Sequence, residues 1–212
     1  MTRAASLAAV SILAFCAGCV FAAELPVPKG ARELYTQNSN DAGDSINSQN
    51  YTSDFSSDNN QAADDFVIPK GKKWRVTEID VSGAYFNGSG PATSENVIFY
   101  RDKHGEPGVP VRGGAFNNLI GTDHSASFDI RLPGGGLDLE AGKYWVSVVA
   151  NMDFGTSGEW GWDVNGAQHG KQAMWQNPGG GFYICPTWGT IENCQASPGP
   201  DLMFDIRGKG DK

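Results

Sequence analysis

The chain has 212 residues, a formal net charge of −8 at pH 7, and hydrophobic residues at 40% of its positions. That is enough apolar material for one domain with a substantial core, and it leaves out a disordered chain. The acidic residues are spread along the chain, so there is no basic field for non-specific nucleic-acid binding and no nucleic-acid partner is expected.

Residues 1–22 carry Arg3, then an apolar run from Leu7 to Val20, then small residues. This is the pattern of a secretory signal peptide, and the need for small side chains just before the cut places cleavage after Ala22. The tetrad Cys16-Ala17-Gly18-Cys19 resembles the end of a lipoprotein signal, with Cys16 where such signals usually carry Leu, so lipidation at Cys19 is the alternative fate. No other stretch approaches the ~18 apolar residues of a membrane span, and no transmembrane segment is expected. The expected location is secreted, periplasmic or extracellular. Loss of Arg3 makes the mature chain one unit more acidic than the precursor.

Residues 23–62 are rich in Asn, Asp, Ser and Gln, and they read as a polar loop or edge segment with Tyr51 and Phe55 as anchors into the core. The texture changes at residue 63. "DDFVIPKGKKWRVTEIDVSGAYF" predicts a short strand from Asp65 to Ile68, a turn through "PKGK", and a long strand from Trp74 to about Phe86. In that strand the apolar residues Trp74 and Val76 differ in parity from Ile79 and Val81, which predicts a bulge near Thr77 and Glu78.

Further strands are expected over 95–102, 110–116, 125–133, 142–152, "GEWGWDV", 172–177, 181–184 and 201–208. In the strand over 142–152 both faces are apolar, so it is covered on both sides. "NGSGP", "DKHGEPG" and "LPGGG" supply the turns. About ten short strands without a period of 3.6 predict an all-β fold, an antiparallel β-sandwich of jelly-roll type over residues 63–212.

The mature chain keeps Cys185 and Cys194, and in an oxidising compartment this close pair predicts one disulfide. The succession "ADDFVIPKGKKWRVTEIDVSGAYF", "NVIFYRDKHGEPG", "GKYWVSVVANM", "WGW", "WQNPGGGF" and "PDLMFDIRG" resembles a recurring β-sandwich module of secreted bacterial proteins. Such modules occur alone, in cell-surface proteins and beside secreted hydrolases. The resemblance spans Ala63 to Gly208 and implies a jelly-roll-like sandwich with an accessory or surface role; it supplies no catalytic residues.

Catalytic patterns are sparse. His104, His124 and His169 are far apart and lack ligand spacing, and Asp123-His124-Ser125 are chain neighbours that point apart on a strand or turn. Glu159, Asp163 and Glu192 are the carboxylates that a hydrolase would draw on, with solvated surface acids as the plain alternative. A structural calcium ion would use Asp58, Asp64 and Asp65, with Asp41 and Asp44 upstream, although no calcium-loop order is present.

Trp160 and Trp162 share a strand face with Val164 and read as core-facing. Trp175 and Trp188 flank loops. With Tyr183 and Asn177 they read either as a carbohydrate platform or, for Trp188, as packing on the disulfide. The functional expectation is a secreted, non-catalytic module that binds a carbohydrate or another cell-surface ligand. A structural or protein-interaction surface protein and an extracellular hydrolase with a carboxylate pair are the alternatives.

Overall fold

The computed structural model describes residues 30–211, and these form an all-β sandwich of two sheets whose strand pairs are antiparallel with one exception. The expected signal peptide, its cleavage after Ala22 and the Cys19 alternative lie outside the described residues. The strands are β1 (Arg32–Thr36), β2 (Asp41–Asn47), β3 (Gln49–Asn50), β4 (Gln61–Val81), β5 (Gly83–Phe86), β6 (Ser94–Lys103), β7 (Glu106–Leu119) and β8 (Thr122–His124). They continue with β9 (Ser127–Arg131), β10 (Leu137–Asn151), β11 (Glu159–Asn165), β12 (Met174–Gln176), β13 (Gly189–Thr190), β14 (Asp201–Leu202) and β15 (Phe204–Gly210). Two short helices, α1 (Phe154–Ser157) and α2 (Ile191–Gln195), lie between strands. The strands outnumber the ten or so expected because β3, β13 and β14 are two-residue pairings, too short to carry a period of their own.

The larger sheet runs β1-β15-β4-β10-β6-β7, with β9, β12 and β3 attached to β4 or β10; the smaller runs β14-β11-β2, with β5 also paired to β11. The exception to antiparallel pairing is β3 on β10. Strand β4 organises the larger sheet. The expected turn through "PKGK" is an excursion within one strand: Lys73 pairs with Glu140 and Ile68 with Gly142, so residues 69–72 bow out and pairing resumes in the same sheet. The expected bulge is present. Arg207 pairs with Glu78 while Gly208 pairs with Val76, leaving Thr77 as the extra residue. Without it, either Trp74 and Val76 or Ile79 and Val81 would face solvent; with it, all four are buried.

The polar segment before residue 63 is built into the sandwich. Its strand β1 edges the larger sheet against β15, β2 pairs with β11 in the smaller sheet, and β3 pairs with β10. The sandwich therefore extends back to Arg32. At 181–184 a strand was expected, but Phe182, Tyr183 and Ile184 are all exposed in a turn.

Between the sheets, Trp160 and Trp162 of β11 are fully buried. Trp160 meets Phe128 of β9 at 5.3 Å between ring centroids, and Trp162 meets Phe204 of β15 edge-on at 6.0 Å. Each indole nitrogen is satisfied: that of Trp160 donates to the Ala126 carbonyl at 2.7 Å and that of Trp162 to the Met203 carbonyl at 2.8 Å. A buried Trp needs such a partner, and with it the ring contributes its full apolar burial. On the outer face of the larger sheet a smaller cluster joins Ala63, Tyr100, Trp145 and Met174, so β10 is covered on both sides as its sequence predicts.

Candidate functional site

The expected Trp platform does not form as one surface. Trp175 is fully buried against the main core, and its indole nitrogen donates to the Asn47 carbonyl at 2.8 Å. Trp188 is half-buried on the other face of the sheet, edge-on to Tyr100 at 5.9 Å, in the outer cluster with Met174. Successive residues of a strand point to opposite faces, so Met174 and Trp175 belong to different clusters, and Trp188 sits on the Met174 side. The disulfide is present between Cys185 and Cys194.

Asn177 is fully buried and holds two loops together. Its side-chain nitrogen donates to the Ser57 and Asn59 carbonyls, both at 2.8 Å, and its side-chain oxygen accepts the Phe182 N–H at 2.8 Å. Its backbone N–H donates to the Cys185 carbonyl at 2.7 Å. Asn177 thus positions a site without facing a ligand. The Asn-rich segment before it uses the same chemistry: the Asn59 side chain accepts the Tyr51 N–H at 2.7 Å, and the Asn60 side chain accepts the Gln49 N–H at 3.1 Å. Side-chain amides close these turns where no strand partner is available.

Two loops ordered in this way and a third border a cavity of about 310 Å³ lined by Tyr51, Phe55, Asp58, Phe154, Glu159 and Phe182. Phe55 and Asp58 come from the 3₁₀ turn Ser53–Asp58. Phe154 opens α1, whose N-cap Asp153 accepts the Thr156 N–H at 2.9 Å. Phe182 follows three glycines in a row, and there the backbone passes hard against the neighbouring loop. A Cβ on Gly181 would lie 1.8 Å from Asp58 Oδ1, and one on Gly179 would lie 2.5 Å from the Ser57 carbonyl oxygen. Only glycine allows that approach.

The rings are arranged as a wall. Phe55 meets Phe154 edge-on at 5.6 Å, Tyr51 meets Phe154 at 6.3 Å, and Phe182 leans edge-on against the buried Trp175 at 5.7 Å. Among the described residues there are seven exposed large hydrophobics, and four of them, Phe55, Phe182, Tyr183 and Ile184, stand on these loops. Tyr183, next in the chain after Phe182, is 97% exposed and held at φ +57°. Clustered exposed apolar surface marks an interaction site, whereas scattered single residues do not.

Two carboxylates complete the cavity. Glu159 Oε1 accepts from the Tyr51 hydroxyl at 2.6 Å and from Asn47 Nδ2 at 3.1 Å, and Asn87 Nδ2 donates to Oε2. Burial and the bond to Glu159 push the Tyr51 hydroxyl pKa up, so it stays a donor. The other carboxylates expected for a hydrolase lie elsewhere: Asp163 accepts from Ser45 at 2.6 Å, and Glu192 accepts from Gln172 at 3.1 Å on α2.

The calcium candidates are separated. Asp58 faces the cavity. Asp64, fully buried, accepts from Gln37 and from the Leu202 N–H, both at 2.7 Å, while Asp65 pairs with Lys143. Asp41 and Asp44 accept the Gly43 and Ser45 N–H groups at 2.7 and 2.8 Å and close a turn. Among the described residues no group of three or more His, Cys, Asp or Glu side chains converges to hold a metal ion. His124 pairs with Asp129 at 3.0 Å and His169 lies against Asp201.

Sequence reading missed Phe154, Phe182, Asp58 and Glu159 as partners because they come from separate loops. The available signal was the isolated aromatics, Tyr51 and Phe55, in a polar stretch that had no core pattern to explain them. Comparison of the chain with protein-family models, with curated proteins and with solved structures finds no match.

Proposed function

We propose that the protein is a secreted, non-catalytic module that binds carbohydrate at a cell surface, with the ligand seated in the aromatic cavity. The carrying observation is that Tyr51, Phe55, Phe154 and Phe182, from three loops, line one cavity together with Asp58 and Glu159. Aromatic faces pack on the C–H faces of sugar rings, and a few convergent acceptors select hydroxyls or other donors. The signal-peptide pattern and the disulfide support passage into an oxidising compartment. The motif resemblance to secreted β-sandwich modules points the same way. No helix among the described residues is long and apolar enough to cross a membrane.

The test is binding of the mature chain to a panel of soluble and insoluble polysaccharides, with Phe55→Ala and Phe182→Ala alongside. Saturable binding that each variant weakens about ten-fold or more is expected. A folded wild-type chain that binds no glycan overturns the reading.

The presence of Asp58 and Glu159 in one cavity favours glycoside hydrolysis as a second reading. It predicts new reducing ends from a bound polysaccharide, lost in Glu159→Gln; their absence under saturating substrate removes it.

A further inference from the structure

We infer that the cavity recognises a positively charged group, an ammonium carried by the ligand, and that Glu159 and Asp58 are the residues selecting it; this rests on the cavity being the binding site proposed above. The first ground is the company Glu159 keeps. Its three hydrogen-bond donors, Tyr51, Asn47 and Asn87, are all neutral. Elsewhere in the molecule several carboxylates meet cations directly, Asp138 with Arg75, Glu140 with Lys73, Asp65 with Lys143, Glu78 with Arg131 and Asp80 with Arg207, while Asp163 and Glu192, like Glu159, accept from neutral donors. The residues lining the cavity include two acids and no base.

A neutral ligand closing over these acids would strip water from two negative charges and return only hydroxyl hydrogen bonds. An ammonium would offset the same desolvation with opposite charge. The second ground is the wall. Tyr51, Phe55, Phe154 and Phe182 line the same space, and an aromatic ring attracts a cation that reaches its face independently of the carboxylates. The two attractions converge on one chemistry. Gly181 contributes by leaving room for the Asp58 carboxylate, which any side chain there would displace. The net charge of −8 draws a cationic ligand toward the molecule from a distance, at low salt most of all.

An ammonium of this kind can come from an amino sugar with a free amine or from a quaternary amine such as choline, and calorimetric titration separates them. The mature chain is titrated with glucosamine oligomers, with the same oligomers N-acetylated, and with choline. The inference expects the free-amine oligomers to bind about ten-fold or more tighter than their acetylated counterparts, with affinity falling as salt rises. Glu159→Gln is expected to weaken that binding by a similar factor. Because Glu159 is also tied to Asn47, Tyr51 and Asn87, Asp58→Asn serves as the second variant, and it loses affinity for the amine while keeping affinity for the acetylated oligomer. Choline competing with the free-amine oligomers assigns the site to the ammonium alone, and a failure of choline to compete assigns it to a sugar-borne amine; both uphold the inference. Equal affinity for the two oligomers, or a preference for the acetylated one, overturns it and leaves carbohydrate binding standing. A folded chain that binds none of these probes and no glycan of the panel overturns both.

Discussion

The side-chain oxygen of Asn177, a fully buried residue, accepts the backbone N–H of Phe182, an aromatic residue 38% exposed at the mouth of the cavity. One amide thereby links the core to the aromatic wall of the cavity, while its nitrogen grips the opposite loop at Ser57 and Asn59. Replacing Asn177 by Ala removes the partner of two carbonyls and one N–H in the cavity loops, and stability is expected to fall by about 1–3 kcal/mol. Asn177→Asp presents an oxygen to two carbonyls and is expected to cost at least as much. Urea unfolding monitored by circular dichroism reads both.

Trp175 and Phe182 are in edge-on contact but are expected to respond in opposite ways. Trp175→Phe leaves the Asn47 carbonyl without its donor and opens a small cavity, a loss of about 1–3 kcal/mol with ligand affinity within two-fold of wild type. Phe182→Ala is expected to change stability by about 1 kcal/mol or less and to weaken binding about ten-fold. Denaturation and titration on the same two variants check the split. A Trp175 variant with intact stability and lost binding would restore the tryptophan as a ligand contact.

The disulfide closes a loop with a sequence separation of 9, directly after the segment that carries Phe182. A short closed loop stabilises by roughly 2–3 kcal/mol in the chain-entropy model. Cys185→Ser combined with Cys194→Ser is expected to lose about that much. Ligand affinity should also fall, because the lost crosslink no longer fixes residue 185, whose backbone carbonyl accepts the Asn177 N–H. Guanidinium unfolding and titration of the double variant give both numbers.

Stability is expected to fall as pH rises from 5 to 8. Burial pushes Glu95 up to about 7, with the Gly121 N–H pulling down and Asp123 pushing up. Burial likewise pushes Asp80 up to about 6 against the pull of Arg207, and Asp201 up to about 6 against that of the His169 N–H. Each carboxyl binds its proton more tightly folded than unfolded. The stability this contributes is complete below the unfolded values near 4 and is lost as pH passes 6 to 7. Asp138, held low by Arg75, works in the opposite sense, but that pair lies at the surface, where solvent weakens it. Calorimetric melting should show a Tm lower by roughly 3–8 °C at pH 8 than at pH 5, and Glu95→Gln should flatten most of the change between pH 6 and 8. A Tm that rises over this range would contradict the assignment.

Period-2 patterning made the sandwich legible from the chain alone. It placed Trp160 and Trp162 inward, covered both faces of β10, and put a bulge near Thr77 and Glu78 from a change of parity between Val76 and Ile79, where Thr77 is the extra residue. The strands before residue 63 were not legible. The segments "RELYT" and "DAGDSIN" lack apolar alternation, and they form strands because exposed edges of β15 and β11 offer them hydrogen-bond partners.

Local pattern, then, determined the all-β class, the buried faces and the single disulfide, since each depends on neighbours along one strand or one short loop. The aromatic cavity was decided by tertiary structure. Tyr51 and Phe55, Phe154, and Phe182 come from three stretches far apart along the chain, brought together where amides of Asn59 and Asn177 and the Asp153 cap close their loops and Gly179 and Gly181 let two of those loops touch. Periodicity reports which face of a strand is buried, but loops have no period. Where a loop residue points is set by the backbone carbonyls that its neighbours' side chains reach, and that is known only once the strands beneath have folded.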